Sequence, residues 1–374
     1  MFSIPEKKLN AFNPDLPLSQ AHTIPSFWYF DQEIYEAELK HIFGTTWQIA
    51  GRVDQVTGAG SYLTTEIAGE PVVLVRDEQG ILRAFANVCR HRAALVMTES
   101  LGTCSRLRCR YHGWTYDLQG RLRGCPEFDG VEDFNKDEQG LTELPVGTWG
   151  PYVWVNPSPQ CSSKLSDYLQ PFPEQTDKLV PEHLRWFERR EYVMECNWKV
   201  FVDNFQDGGY HVNTVHPGLA GAVDYARYRT EMYEHVTVQV SPLKPSEDES
   251  INKVRTGEAG YWWVFPNTMI NLYSGVMDAH WVIPLGPARC KLVMDWFFPP
   301  IISEADRRWA EESIAVSDAI QIEDVEISNE VQRGLRSRTY RTGRYSVKRE
   351  EPVYHFHRLL HRYLRSGCER ESQS

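Results

Sequence analysis

No run of eighteen apolar residues occurs anywhere in the 374-residue chain, so the sequence offers no helix to cross a bilayer. The opening stretch, MFSIPEKKLNAFNPDLPLSQ, has neither the apolar core of a secretory signal nor the Arg/Ser-rich composition of a transit peptide. Basic charge is not in excess: 40 Lys and Arg face 51 Asp and Glu, and a net charge of −11 argues against a general nucleic-acid binder. Cysteine is sparse, eight in all, which is no disulfide framework; without a secretory signal, clustered cysteines point to metal and a reducing compartment. The expected location is the cytoplasm, or the plastid stroma if a transit peptide has been removed. Internal repeats and low-complexity blocks are missing as well. What remains is a globular composition, 41% hydrophobic and 24% charged, in a chain long enough for two domains.

The first 25 residues are proline-rich and read as an arm. Residues 30–43, FDQEIYEAELKHIF, carry apolar residues at helical spacing, with Asp31 as N-cap. From about 45 to 155 the pattern becomes short alternating runs broken by Gly and Asp, such as GSYLTTEI and PVVLVRDEQG, which predict a small antiparallel β domain with tight turns. Residues 157–167 read as a linker. Beyond them, strand-like runs (YWWVFPNTMINLYS, HWVIPLGPARCKLVMDWFF) alternate with helices, the longest being SEADRRWAEESIAVSDAIQIEDVEISNEVQRGL. Strands and helices in separate blocks make the expected class α+β rather than a doubly wound sheet. The expected division is 1–44 as arm and helix belonging to the second domain, 45–156 as the first domain, and 157–374 as the second.

Within the first domain, NVCRHRAALVMTESLGTCSRLRCRYHGW (87–114) holds two mixed pairs, Cys89-x-His91 and Cys109-x-x-His112. Four N/S ligands could hold structural zinc. A zinc finger, however, groups Cys with Cys and His with His, whereas a Rieske-type [2Fe–2S] cluster takes two thiolates on one iron and two imidazoles on the other. One Cys and one His from each of two neighbouring loops supply that arrangement. Cys104, between the pairs, matches neither loop and reads as packing or a free thiol. Residues 83–123 also carry eight arginines against only Glu99 and Asp117, a local charge of +6 in an acidic chain. They serve either as a docking patch for an acidic electron donor or as partners for acids elsewhere in the fold.

A second constellation lies in CNWKVFVDNFQDGGYHVNTVHP (196–217): His211 and His216, with Asp203 and Asp207 upstream. Two His five apart do not share a face of a regular helix, but a break between them could aim both rings at one point. An oxygen-activating Fe(II) takes two His and one carboxylate, leaving positions open. Asp324, in AIQIEDVEISNEVQRGL, is the candidate carboxylate. Alone this pattern is weak; beside a Rieske domain it gains force, because a cluster needs a terminal electron acceptor.

The segments CRHRA, CRYHGW, NWKVFVDNFQDGGYHV, IEDVEISNEVQRGL and YRTGRYSVKREEPVYHFH resemble the catalytic α subunits of Rieske non-haem iron oxygenases, and within them the choline monooxygenase branch, over roughly residues 25–362. The resemblance implies cluster ligands Cys89, His91, Cys109 and His112, and iron ligands His211, His216 and Asp324. It implies a Rieske β domain plus a helix-grip domain whose antiparallel sheet wraps the iron, and a homotrimer in which one subunit's cluster feeds its neighbour's iron through a bridging acid. Where that acid usually lies, three residues before the first iron His, this chain has Gly208. Asp207, four before, is then the bridge if the glycines shift the backbone, with Asp203 the alternative; Asn204 is grouped with them as a catalytic candidate.

A quaternary ammonium cannot donate hydrogen bonds and is held by aromatic walls. Trp263, Phe265 and Tyr273, of like strand parity, are the candidates, although strand aromatics are mostly core. His355, His357 and His361 contain an i, i+4 pair, read as part of a packed C-terminal helix; His235 and His280 stand alone. The expectation is an oxygenase that takes O2, and electrons from a ferredoxin or reductase with NAD(P)H, to convert choline to betaine aldehyde. N-demethylation of a betaine, ring hydroxylation of an aromatic, or an electron-transfer protein without oxygen chemistry are the alternatives.

Overall fold

The computed structural model describes residues 6–176, 184–220, 222–245, 253–254, 257–273 and 275–373. The chain divides into two compact units, one of residues 42–168 and one assembled from residues 1–41 and 169–374.

The 42–168 unit is antiparallel β. A five-stranded sheet runs in the order Leu101–Thr103, Ser61–Ile67, Glu70–Arg76, Leu82–Ala86, Glu143–Leu144. A second sheet sets Tyr152–Val155 between Gln48–Arg52 and Val146–Trp149, and a third joins Leu107–Arg108, Thr115–Tyr116 and Leu122–Gly124. The hairpin from Ile67 to Glu70 turns on Ala68 and Gly69, both at positive φ (53° and 82°), the geometry that matches strand twist in a two-residue loop. One apolar core sits around Val72, Leu74, Val153 and Val155, and another around Phe85, Trp114 and Tyr116. The stretch expected to be a linker ends in a helical turn, Leu165–Tyr168, that belongs to this unit. Leu165 and Tyr168 are buried there, with Leu165 lying over Gly147, because apolar side chains at those positions are better covered than left in water.

The other unit is built on one seven-stranded antiparallel sheet. Its strands are β1 (Arg185–Met194), β2 (Arg229–Met232), β3 (Val236–Pro242), β4 (Glu258–Val264), β5 (Thr268–Tyr273), β6 (Val276–Gly286) and β7 (Arg289–Phe298), in the spatial order β1-β7-β6-β5-β4-β3-β2. Each of the two long apolar runs of the sequence folds as a hairpin, β4–β5 and β6–β7. The helices are α1 (Gln32–Glu38), α2 (Trp198–Gln206), α3 (Glu304–Leu335) and α4 (Glu351–Gln373). Asp31 caps α1, accepting from the backbone N–H of Glu33 and Ile34, and the helix widens to a π turn over Leu39–Phe43. A Ser303/Asp306 capping box opens α3.

α2 packs on α3, on β6 and on β7. Its start is fixed by Asn197, which caps Lys199, and by a buried pair in which Lys199 Nζ lies 2.6 Å from Glu38 Oε1. Neither side chain of that pair is exposed, and Trp198 Nε1 donates to the same carboxylate. Losing one partner would strand a charge in the core, at roughly 3–5 kcal/mol. The N-terminal arm runs over the same unit: Tyr354 OH donates to the carbonyls of Pro14 and Leu16, and Ser26 N–H to Arg341 O.

Candidate active site

In the 42–168 unit the two Cys-His loops have the same backbone plan. The N–H of Ala93 donates to Cys89 O, and that of Cys89 to Ala94 O; likewise Gly113 donates to Cys109 O and Cys109 to Trp114 O. Each loop closes on a left-handed residue, Ala93 (φ 57°) and Gly113 (φ 73°). Twin loops of this kind turn both cysteines inward and bring the rings of His91 and His112 to 4.6 Å. His91 stacks on Trp114, centroids 5.0 Å apart and planes within 7°. Tyr116 OH lies 3.4 Å from Cys89 Sγ and accepts from Arg90 N–H.

His91 Nδ1 is buried without a hydrogen-bond partner. Burial, with His112 and Arg92 adding to it, pulls its pKa down toward the neutral imidazole that ligates metal. Burial also pushes the Cys109 thiol up, so a thiolate there needs a cation to hold it. Two buried sulfurs and two converging imidazoles, one of them with an unpartnered nitrogen, fit a Rieske cluster. Cys104 is half-buried against the same core and stands outside the two loops.

The arginine-rich segment splits in two. Arg83 pairs with Asp77 and Glu143, Arg121 and Arg123 share Asp117, and Arg106 lies 3.6 Å from Glu78. Arg90, Arg92, Arg108 and Arg110, on or beside the cluster loops, are exposed and have no carboxylate partner among the described residues.

In the other unit α2 ends at Gln206, and the chain turns through Gly208 (φ 67°) and Gly209 (φ 71°). A Cβ on Gly208 would stand 2.3 Å from Arg349 O, so this turn requires glycine. The turn folds Asp207 back over His211. Asp207 accepts from the backbone N–H of Tyr210 and His211, and from His211 Nδ1 at 2.7 Å. His211 and His216 flank a single helical turn, Val212–Val215, which is the break that lets residues five apart converge; their ring centroids are 5.0 Å apart.

Asp324 projects from α3 with its Oδ1 3.2 Å from His216 Nε2 and 3.7 Å from His211 Nε2. The three ligand atoms lie within 4.8 Å of one another. Asn204 Nδ2 donates to Asp324 Oδ1 at 2.7 Å. Glu323, which sequence reasoning missed, accepts from His216 Nδ1 at 2.7 Å. Both imidazoles thus give their Nδ1 protons to carboxylates and turn their Nε2 lone pairs toward Asp324, the donor set of a facial-triad iron. Burial pulls the His216 pKa down, but Asp324 and Glu323 outweigh it and the net shift is upward. Asp203, by contrast, faces away from the two histidines: it accepts from Tyr29 OH (2.6 Å) and pairs with His357 Nε2 (2.9 Å), whose Nδ1 meets Tyr345 OH.

Beside the triad lies a cavity of about 130 Å³. One cross-strand row of the sheet lines it: Gln239, Tyr261, Asn271 and Asp278, each directly opposite the next on β3 to β6. Phe201 and Phe205 of α2 close the other side. Of the three aromatic candidates, only Tyr273 lines the cavity. Trp263 shares the face of Tyr261 but lies two residues further along β4, under Phe356 of α4, and Phe265 packs on Tyr363. Parity grouped the three but named neither the face they line nor the covering element. His280, isolated in the sequence, lines the cavity next to Asp278, two residues along the same strand. His355, His357 and His361 contribute to no metal cluster among the described residues.

Together the fold and the two ligand sets define a class of protein, one that pairs an iron–sulfur cluster with a separate non-haem metal. Residues 46–135 match the family described as Rieske [2Fe-2S] domain, and residues 181–366 that described as Ring hydroxylating alpha subunit (catalytic domain). The chloroplastic choline monooxygenase of Arabidopsis thaliana is 38% identical over 96% of this chain and 87% of that protein. The carnitine monooxygenase oxygenase subunit of Escherichia coli (strain K12) is 29% identical over 91% and 93%. Among solved structures, a quaternary ammonium Rieske monooxygenase aligns with a TM-score of 0.80 at 27% identity, over 96% of this chain and 99% of that one. Naphthalene 1,2-dioxygenase from Rhodococcus sp. shares the fold at 18% identity and a TM-score of 0.77, over 98% and 99%. The chain belongs to the Rieske non-haem iron oxygenases. It is accordingly an iron-dependent monooxygenase of the kind that carries a Rieske cluster and a mononuclear iron.

Proposed function

We propose that this chain hydroxylates choline at its alcohol carbon, giving the hydrate of betaine aldehyde. The observation that carries the reading is the cavity beside the triad. Its wall combines Phe201, Phe205, Tyr228, Tyr261 and Tyr273 with the carboxylate of Asp278, and among its described lining residues there is no Lys or Arg. Aromatic faces and an acid, with no competing cation, suit a small quaternary ammonium. The 38% identity to a choline monooxygenase over nearly the whole chain supports the same substrate.

His211, His216 and Asp324 are the proposed iron ligands, and Cys89, His91, Cys109 and His112 those of the cluster. When bound, these centres supply electron relay and the reductive activation of O2. The overall change balances as one C–H bond, O2, two electrons and two protons going to one C–OH and one water; the resulting 1,1-diol loses water to the aldehyde. The protein's part is to hold both imidazole tautomers through Asp207 and Glu323, to brace Asp324 through Asn204, and to present one carbon to the open side of the triad.

The electrons come from a ferredoxin-like or reductase donor using NAD(P)H, and the working assembly is a homotrimer. Inter-subunit electron transfer is a feature of the quaternary ammonium Rieske monooxygenase compared above. Asp207 is the bridging acid, because it already holds His211 while Asp203 is committed to Tyr29 and His357. Loaded with excess iron to offset a weaker hold on His211, Asp207→Asn is therefore expected to keep both metal centres, seen by absorption and metal analysis, and to lose single-turnover oxidation of the reduced cluster. Retained turnover would remove Asp207 from the role.

The reading is tested by product analysis with the iron-loaded protein, O2 and a ferredoxin system, offering choline, glycine betaine and carnitine separately. Betaine aldehyde from choline, coupled to oxygen, is expected. Formaldehyde from a betaine would move the enzyme to the N-demethylases.

A further inference from the structure

Asp278 is 2% exposed and sits on the cavity wall with three side-chain donors on it among the described residues: Tyr273 OH at 2.5 Å, Asn271 Nδ2 at 2.8 Å and His280 Nε2 at 2.5 Å. Three donors on two oxygens is the pattern of an ionised carboxylate. The bond to Asp278 places the His280 proton on Nε2. Its Nδ1 is buried with no partner. Asn271, having given its amide N–H to Asp278, leaves Oδ1 buried and unpartnered too. This end of the cavity therefore offers negative charge and lone pairs.

The other end has the opposite character. Gln321 is one turn of α3 before Asp324, is buried, lines the cavity, and has an amide nitrogen with no acceptor. Ser317, another turn back, lies 3.4 Å from Tyr273 OH, which ties the anionic end to a point about 10 Å along the helix axis from Asp324. A donor near the proposed iron and acceptors with a charge two turns away match a molecule with a hydroxyl at one end and a cation at the other.

We propose that Asp278, braced by Asn271, Tyr273 and His280, is an anionic pole that draws the quaternary head away from the triad, so that the alcohol carbon rather than an N-methyl group faces the site of oxidation. This inference rests on the quaternary-ammonium reading above. It adds that the pole sets which carbon reacts, and disfavours the reversed pose of a betaine, in which the carboxylate would meet a like charge and unpaired acceptors. Gln321 holds the alcohol oxygen at the reacting end.

The test uses wild type, Asp278→Asn and the charge-preserving Asp278→Glu, each iron-loaded and checked by circular dichroism. Calorimetry gives the Kd for choline and for its uncharged isostere 3,3-dimethylbutan-1-ol; product analysis gives the ratio of betaine aldehyde to formaldehyde from choline. Wild type should favour choline over the isostere by roughly thirtyfold or more, the scale of losing one partner of a buried charge pair. Asp278→Asn should erase that preference and raise the formaldehyde share, while Asp278→Glu keeps the preference. Wild type binding choline and the isostere equally would overturn the inference even if Asp278→Asn does not fold. So would an Asp278→Asn protein that keeps both the preference and the product ratio. Failure of wild type to oxidise any quaternary ammonium would instead sink the substrate reading itself.

Discussion

Glu323 takes the Nδ1 proton of His216 and so aims the Nε2 lone pair at Asp324. Glu323→Gln keeps the shape and removes the charge. Iron affinity is expected to fall roughly 10- to 100-fold, the usual cost of losing an outer-shell partner, with the cluster's visible absorption unchanged. Competition with a chelator measures this; unaltered affinity would exclude Glu323 from the site. Gly208→Ala attacks the same site through the backbone. At φ 67°, with Arg349 O in the way of a Cβ, the substitution should cost roughly 1–3 kcal/mol and lift Asp207 off His211. A thermal melt reads the first effect and cluster oxidation the second; a variant with wild-type values in both would show that the turn tolerates a side chain. Six of the seven proposed metal ligands were legible because thiolates and imidazoles are rare and their spacing is chemical, while Asp324 stood out with the help of the resemblance carried by IEDVEISNEVQRGL. Glu323 was not, since an acid on a long helix looks like any solvated one. Asp278 and His280 were hidden for a different reason: their partners Asn271 and Tyr273 meet them only through β5–β6 register.

At the scale of elements, the histidines around α4 set how the catalytic unit responds to acid. Burial lowers the pKa of His235, just before β3, to about 4, with Arg362 and His355 nearby adding to the shift and Glu234 opposing it. Burial likewise lowers His355 and His361 on α4. Such residues take up protons in the unfolded chain before they do so in the folded one. Their stabilising effect is complete above the ordinary value of 6.5 and is lost as pH falls toward the folded value, about 4 for His235. The urea midpoint should drop across that window, and His235→Gln should flatten the drop; an equally steep decline in the variant would acquit His235. Helix α1 with its cap, the length of α3 and the strand character of the two long apolar runs were readable from periodicity and residue type. What periodicity lacked was the cover over each stretch of strand, which separates Tyr261 in the cavity from Trp263 beneath Phe356.

For the whole molecule, the sequence showed a basic segment in an acidic chain but not which charges remain available. The pairs with Asp77, Glu143, Asp117 and Glu78 occupy half of its arginines. Donor docking, if electrostatic, should then depend on Arg90, Arg92, Arg108 and Arg110. Arg108→Glu with Arg110→Glu is expected to slow cluster reduction by an acidic ferredoxin at low salt, and to remove its ionic-strength dependence. Unchanged rates in stopped-flow reduction would rule out that surface. The α+β class and the two-domain plan were evident from the blocks of the sequence, whereas the compact units divide at residues 41/42 and 168/169, where packing and not composition sets the limits.

That division has a temporal side. In sequence, residues 42–168 are inserted between the two parts of the other unit, residues 1–41 and 169–374. On the ribosome, all four proposed cluster ligands have emerged before the first residue of β1, and so have the described strands of the inserted unit. The other unit must wait: Glu38 has no Lys199 to meet until the chain is past its midpoint, and the carbonyls of Pro14 and Leu16 have no Tyr354 until it is nearly finished. Maturation is therefore expected to be ordered, with iron–sulfur insertion open to the nascent chain and the mononuclear site assembled last.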